Sequence, residues 1–382
     1  MNFELNEDQL VLKKTVRDFC AREVIPRAAE WDAKERFPSE VIPAMGEMGL
    51  LGMQIPEAYG GAGMKFLDYV VALEEVSRAD GSLGLTMASH NSLCTGHIFL
   101  AGNEDQKRKY IPPLAAGKVL GAWGLTEPGS GSDAGAAITR AQRKGNDWVI
   151  NGTKTFITQG SVASTYVIIA STSPDKKQKG MTAFIVEKGT PGFRPGKRIE
   201  KMGLHASDTT ELVLEDTVVP DEQRLGEIDH GFFDTLKILN RGRIGIGAWA
   251  IGIAQAALDA SKEYARQRVQ FGKPIGEFQG VQHMLADMAT ELEAARLLVW
   301  RAAWMQDLAQ DTTRESSVAK LYAARAATKA CNAAVQIHGG YGYTREFPVE
   351  RYLRDVRLGE IGEGTNEVQK MVIARELLKD VR

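Results

Sequence analysis

The chain has 382 residues, 43% of them apolar and 25% charged, with a formal net charge of −2. That length exceeds what one hydrophobic core usually serves, so two or three domains are expected, and the balanced charge excludes a whole-chain surface for nucleic acid. Six histidines and three cysteines without ligand spacing exclude a zinc framework or a disulfide scaffold, and no run of about eighteen apolar residues occurs, so the composition reads as a reduced protein with no metal and no membrane insertion.

In chain order, residues 1–10 are acidic and unlike a presequence. A cytoplasmic location is the simplest inference, with a processed organellar protein as the alternative. Asn6 is a capping signal before an amphipathic run through Leu10, Val11, Val16, Phe19 and Val24; Val41, Met45 and Met48 follow Pro38-Ser39-Glu40 at helical spacing. Gly60-Gly61-Ala62-Gly63 interrupts the pattern, which resumes over residues 69–76. Residues 1–118 are therefore expected to form an N-terminal helical domain.

Over residues 119–228 the texture changes to short β-rich runs at 148–150, 166–170, 182–186 and 211–214, separated by turn residues, with residues 176–180 as a solvated hairpin tip. No long helix lies between the runs, so the spacing predicts a small antiparallel barrel or sandwich. From 229 to 382 helical patterns return. Val281, Met284, Leu285, Met288, Leu292, Ala295, Leu298 and Val299 make one apolar stripe, expected to pack in a C-terminal four-helix bundle. The whole is read as an α+β multidomain protein.

Near the C-terminus Gly362-Glu363-Gly364-Thr365-Asn366 sets a carboxylate between two glycines, at a helix start. Alone, this is a loop with a capping threonine. Four other blocks change its meaning: Leu125-Thr126-Glu127-Pro128-Gly129-Ser130-Gly131-Ser132-Asp133, Asn151-Gly152-Thr153-Lys154-Thr155-Phe156-Ile157-Thr158, Arg266-Gln267-Arg268-Val269-Gln270-Phe271-Gly272 and Gln336-Ile337-His338-Gly339-Gly340-Tyr341. In this order, from about Phe3 to Leu378, the five resemble the acyl-CoA dehydrogenase family, most strongly its short-chain, butyryl-type members. A nicotinamide site would need a third glycine in the Gly129–Ala134 stretch and a helix after it, and neither is present.

The resemblance implies FAD as cofactor, an acyl-CoA thioester as substrate, formation of a trans double bond between Cα and Cβ, and electron-transferring flavoprotein as electron acceptor. An oxidase-like or enoyl-CoA reductase relative, using another electron partner, is the alternative. It further implies that Trp123, Leu125, Thr126, Gly131 and Ser132 meet the flavin or its phosphates, with Phe156 on the ring and Thr158 near N5. Arg268, Gln270 and Phe271 would reach the FAD of a neighbouring subunit, as would Gln279, Gln336 and Gly340, while Thr365 and Glu367 would face its adenosine half. Such sharing implies a dimer, and usually a dimer of dimers.

Glu363 matches the family's catalytic base, and Arg243 the arginine behind it. The family's other position for the base falls on Gly242, which carries no side chain. Ser89, His90, Ser132, Asn240, Arg243, Gly362 and Gly364 match substrate-side positions. Asn240 replaces a common aspartate, and His90 reads more readily as a packed histidine than as a catalyst. Gly362 replaces a common tyrosine, which either opens space for a branched or cyclic acyl group or leaves a gap that a neighbouring side chain fills.

Overall fold

The computed structural model describes residues 4–379, so the reading of the extreme N-terminus, and Phe3 where the resemblance starts, fall partly outside the described residues. Seven helices come first: α1 (Glu7–Glu23), α2 (Ile25–Ala33), α3 (Ile42–Glu47), α4 (Phe66–Ala79), α5 (Gly81–Ala88), α6 (Gly96–Ala101) and α7 (Glu104–Ala115). Asn6 caps α1 as its sequence suggests, its side chain accepting from the Gln9 amide at 2.8 Å while Gln9 reaches back to the Asn6 amide. Between α5 and α6 the chain widens into a π-helical turn, Ser89–Thr95, buried throughout.

Eight strands follow: β1 (Gly121–Gly124), β2 (Arg140–Lys144), β3 (Asp147–Thr158), β4 (Thr165–Ser171), β5 (Met181–Glu187), β6 (Phe193–Arg198), β7 (Thr209–Pro220) and β8 (Arg224–Leu225). They form one sheet in the order β6-β7-β3-β2-β4-β5-β8, with β1 added alongside β4. The expected closed antiparallel barrel is not what forms. β1 runs parallel to β4, the β2–β3 hairpin serving as the crossover in place of a helix, and the sheet curls without closing. Closure fails at both edges: β8 is two residues long, and β6 carries Pro195, which has no N–H to donate, among Arg194, Lys197 and Arg198. Residues 176–180 do lie exposed between the antiparallel β4 and β5, except that Gly180 is buried and Lys176 pairs with Asp229.

Alternation along β4 sorts side chains between two cores. Val167 and Ile169 pack with Leu93, Ile98 and Leu114 of the helical layer and with Trp123 of β1, while Tyr166 and Ile168 join Trp148, Ile150, Phe184 and Leu212 inside the curl.

The last third holds α8 (Gly231–Gln267), α9 (Gln279–Asp307), α10 (Thr313–His338), α11 (Val349–Val356) and α12 (Asn366–Leu377), with a small ribbon, β9 (Val269–Gln270) and β10 (Lys273–Pro274), after α8. Among the described residues, α8 alone is long and apolar enough to cross a membrane, but 83% of that stretch is buried inside the fold. Its cover comes from both ends of the chain. Tyr69 and Leu73 of α4, Ile244, Trp249 and Ile251 of α8, and Ala319 and Ala323 of α10 belong to one continuous core. The expected stripe on α9 joins it through Met288, Leu292, Ala295 and Val299. Three helices distant in sequence thus meet where the link between α11 and α12 passes.

Candidate active site

The link 361–365 carries Glu363 in a left-handed backbone conformation, φ 51°, followed by Gly364 at φ 90°. A Cβ on Gly364 would stand 2.7 Å from the Gln369 amide nitrogen, which donates to the Gly364 carbonyl at 2.8 Å. Glycine is needed at 364 on both counts. Lys320 Nζ, from α10, donates to the same carbonyl at 2.8 Å. Thr365 Oγ1 accepts from the Val368 amide at 3.2 Å, so its hydroxyl caps α12.

Held in this way, the Glu363 side chain lies against α8 at Gly242, a position that lacks a side chain. A Cβ on Gly242 would come within 2.0 Å of Glu363 Oε2. The two alternative places for a base, far apart in sequence, therefore converge on one volume. Oε2 is buried and has no hydrogen-bond partner among the described residues, although the residue as a whole is half-buried. Burial pushes the Glu363 carboxyl up to about 7, with the charges of Lys320 and then Arg243 pulling the other way. An enclosed carboxylate whose proton affinity lies near neutrality suits proton abstraction.

Arg243 is 5% exposed; it donates to Asn240 Oδ1 at 2.9 Å and to Ser317 Oγ at 3.4 Å, while its Nε is buried and unpartnered. Burial lowers it to about 10, against the attraction of Glu363. Asn240 is also tied to Thr313 Oγ1, by its amide at 3.0 Å, so both of its polar atoms are engaged inside the chain. Two groups went unremarked in the sequence. Tyr69 of α4 has a buried hydroxyl, and the nearby Glu363 charge adds to burial in raising it. Lys320 is wholly buried. Its signal was a lysine sharing one helix face with Ser316, Ser317, Ala323, Ala324 and Ala327, a stripe otherwise small and inward.

The π-helical turn carries Ser89 and His90, both enclosed. His90 Nδ1 accepts from the Gly121 amide at 3.1 Å and Nε2 lies 3.1 Å from the Leu114 carbonyl, and burial lowers its pKa to about 4. It is a neutral strut between α7 and β1. At Gly362, a Cβ would meet Leu358 Cγ and Cδ1 at 3.4 Å, so Leu358 flanks the position without filling it.

The sheet presents a second group of candidates. Trp123 and Leu125 are buried: Trp123 Nε1 donates to His97 Nδ1 at 3.0 Å, and the Leu125 carbonyl accepts from Lys154 at 3.0 Å. Thr126 and Thr158 are half-buried, and Gly131 and Ser132 are exposed. A Cβ on Gly131 would meet nothing of the chain within 4 Å. A bulge in the β3–β7 register, with Phe156 at φ 58°, turns that ring outward until it is 64% exposed. A bare glycine loop and a projecting aromatic beside two threonines fit a planar cofactor with a phosphate tail.

This loop is fastened from behind by an ion pair that sequence reading also missed. Lys154 and Glu127 are 0% and 3% exposed in their side chains and 2.7 Å apart. Glu127 also accepts from the Ile138 and Thr139 amides at 2.7 and 3.0 Å. Burial pulls Lys154 down to about 8 against the pull of Glu127; burial raises Glu127, but Lys154 outweighs it and holds the carboxyl below its usual range. Lys154→Met leaves Glu127 buried without its counter-charge and should cost about 3–5 kcal/mol, read by calorimetry as a lower unfolding temperature, with weaker flavin retention.

The third group lies elsewhere. Arg268, Gln270 and Gly340 line a groove of about 480 Å³ with Tyr264, His338 and Tyr341, at the far ends of α8 and α10. Arg268 stands over the Tyr341 ring at 5.5 Å, and Phe271 projects at 94% exposure with φ 51°. Gln279, Gln336 and Glu367 are exposed at the surface of α9, α10 and α12. None of the sheet-borne candidates lines this groove. One chain therefore holds two separate halves of the expected cofactor contacts.

Three models of the acyl-CoA dehydrogenase family match in succession: the N-terminal domain over residues 6–118, the middle domain over 122–217 and the C-terminal domain over 229–378. A mouse protein named short-chain specific acyl-CoA dehydrogenase, mitochondrial, is 48% identical over 379 residues, covering 99% of this chain and 92% of its own length. Butyryl-CoA dehydrogenase of Megasphaera elsdenii superposes with a TM-score of 0.97 at 43% identity, over 99% of this chain and all of that one. Glutaryl-CoA dehydrogenase of Mycobacterium smegmatis, solved in complex with FADH2, gives a TM-score of 0.93 at 33% identity, over 98% and 95% of the two chains. The cytoplasmic location expected from the acidic N-terminal residues does not stand, because the vertebrate relatives are mitochondrial by name. With successive family models along its length and close identity from end to end, the chain belongs to the acyl-CoA dehydrogenase family of FAD-dependent oxidoreductases.

Proposed function

We propose that this acyl-CoA dehydrogenase acts on short-chain, branched or cyclic acyl-CoA thioesters and that Glu363 removes the α-proton. The observation carrying this reading is the approach of Glu363 Oε2 to the empty side of Gly242, with a pKa near 7. Bound FAD supplies the acceptor for the β-hydride, and its electrons pass to electron-transferring flavoprotein. The chain's own part is to orient and to hold a proton. Gly364 and Gln369 fix the loop, α8 closes one side of the carboxylate, and the acyl chain that enters excludes water from the other, so that Glu363 acts in a low-dielectric space. Arg243 behind the carboxylate favours its ionised form before the proton arrives. Ser89, Gly362 and Gly364 keep the acyl-side roles that the family resemblance implies, whereas His90 and Asn240 act through the scaffold they brace.

The separation of the Arg268–Gln270–Gly340 groove from Phe156 and Thr158 supports a shared site, in which a second copy brings Arg268, Gln270 and Phe271 to the FAD held by the first. A dimer, paired into a tetramer, is the assembly this implies.

Substrate class is tested by anaerobic flavin bleaching with butyryl-, isobutyryl-, 2-methylbutyryl- and cyclohexanecarboxyl-CoA. Bleaching by a branched or cyclic thioester at least as fast as by butyryl-CoA is expected, since Gly362 presents no side chain. A sharp optimum at butyryl-CoA would return the pocket to straight chains.

A further inference from the structure

We infer that Lys320 is a positioning residue for proton abstraction, holding the Glu363 loop by its bond to the Gly364 carbonyl while its charge sets the pH at which Glu363 becomes available as a base. The inference rests on the reading of Glu363 as that base.

The geometry is unusual for a lysine. Lys320 lies in the middle of α10 with no exposed surface, and its ammonium is aimed at the link between α11 and α12, where it meets the carbonyl that follows Glu363 in the chain. A buried ammonium is costly unless its charge is answered. The answer is not an ion pair on its own helix: the ammonium donates to a backbone carbonyl, and the strongest opposing charge is Glu363. Around the same link, Glu363 Oε2, Gln369 Oε1 and Asn366 Oδ1 are buried acceptors without partners among the described residues. The site thus holds more acceptors than the chain satisfies, and an ammonium with protons to spare.

Charged and titratable groups face Glu363 from every side. Lys320 comes from α10, Arg243 from α8 and Tyr69 from α4; Glu360 and Glu367 bear on Lys320 from the flanks of the link, Arg375 bears on Arg243 from α12, and Arg241 bears on Tyr69 from α8. Lys320 is the larger of the two influences that oppose the desolvation of Glu363. Burial lowers Lys320 itself to about 8, with the Glu363 charge pulling the other way, so each group favours the charged form of the other. Removing the ammonium should leave Glu363 harder to ionise and move its titration upward.

Proton abstraction can be read apart from electron transfer with 3-thiabutyryl-CoA, whose β position is sulfur and has no hydride to give. Glu363 takes the α-proton, the carbanion reprotonates from the carboxyl, and in D2O the thioester gains deuterium without any change in oxidation state. Exchange is followed by mass spectrometry against pD in the FAD-loaded enzyme, for wild type and for Lys320→Arg, Lys320→Gln and Lys320→Met. Gln keeps a donor for the Gly364 carbonyl and loses the charge; Arg keeps both. The expected result is a midpoint raised by roughly 0.5–1 unit in Gln and Met and close to wild type in Arg. A midpoint unmoved in Gln, or moved equally in Arg, overturns the inference. Should Met not fold, Gln against Arg decides it. Glu363→Gln run alongside separates the two readings: if it still exchanges, the base lies elsewhere, whereas lost exchange with unmoved Lys320 midpoints sinks only the role of Lys320.

Discussion

Glu363→Gln is expected to bind FAD and acyl-CoA as the wild type does, and to lose flavin reduction by about three to four orders of magnitude. The amide matches the carboxylate in size, so the clearance at Gly242 and the bonds of Lys320 and Gln369 to the Gly364 carbonyl stay as they are. What disappears is the only change asked for, a basic oxygen beside Cα. Anaerobic stopped-flow reduction with saturating butyryl-CoA measures the loss, while ligand-induced spectral shifts of the oxidised flavin show that binding persists. Reduction within about tenfold of wild type would exceed what an amide could support and would move the base away from Glu363.

Gly242→Ala tests the same volume from the opposite side. The added methyl would stand 2.0 Å from Glu363 Oε2, well inside contact distance, and it belongs to the middle of a packed helix that cannot retreat. Glu363 must swing away, and a base misplaced by an ångström or more loses about a hundredfold or more in rate. Overpacking of this kind costs roughly 1–3 kcal/mol, so the variant should still fold and carry flavin. The expected signature is a large fall in kcat with flavin content kept and the unfolding temperature lowered by only a few degrees. Normal turnover would mean that the carboxylate works in an orientation other than the one against α8. Paired with Glu363→Gly, a Gly242→Glu change should restore part of the rate, because a carboxylate from helix 231–267 would then reach the vacated space.

The motifs could be read because they are local. Gly362-Glu363-Gly364 next to a capping threonine, the Gly-Ser loop at 129–132 and the Arg268–Phe271 segment each carry their chemistry within a few residues, and helical periodicity marked α1, α4 and α9. The sheet resisted because short strands and turn signals are alike whether or not the edges meet. Whether they meet depended on Pro195 and on the brevity of β8, and the parallel pairing of β1 with β4 joins residues more than forty positions apart.

Five local motifs in their order were enough to identify the family and, through that resemblance, its cofactor and a candidate base, since motifs depend on which residues stand next to one another in the chain. Its surroundings were not open to such reading. That Gly242 leaves the room Glu363 fills, that Lys320 and Tyr69 look onto the same point, and that Lys154 and Glu127 hold the Gly-Ser loop from within are matters of distance between elements far apart in the chain. Electrostatic strength in a low-dielectric interior depends on those distances and on burial, and both exist only once α4, α8 and α10 have packed together.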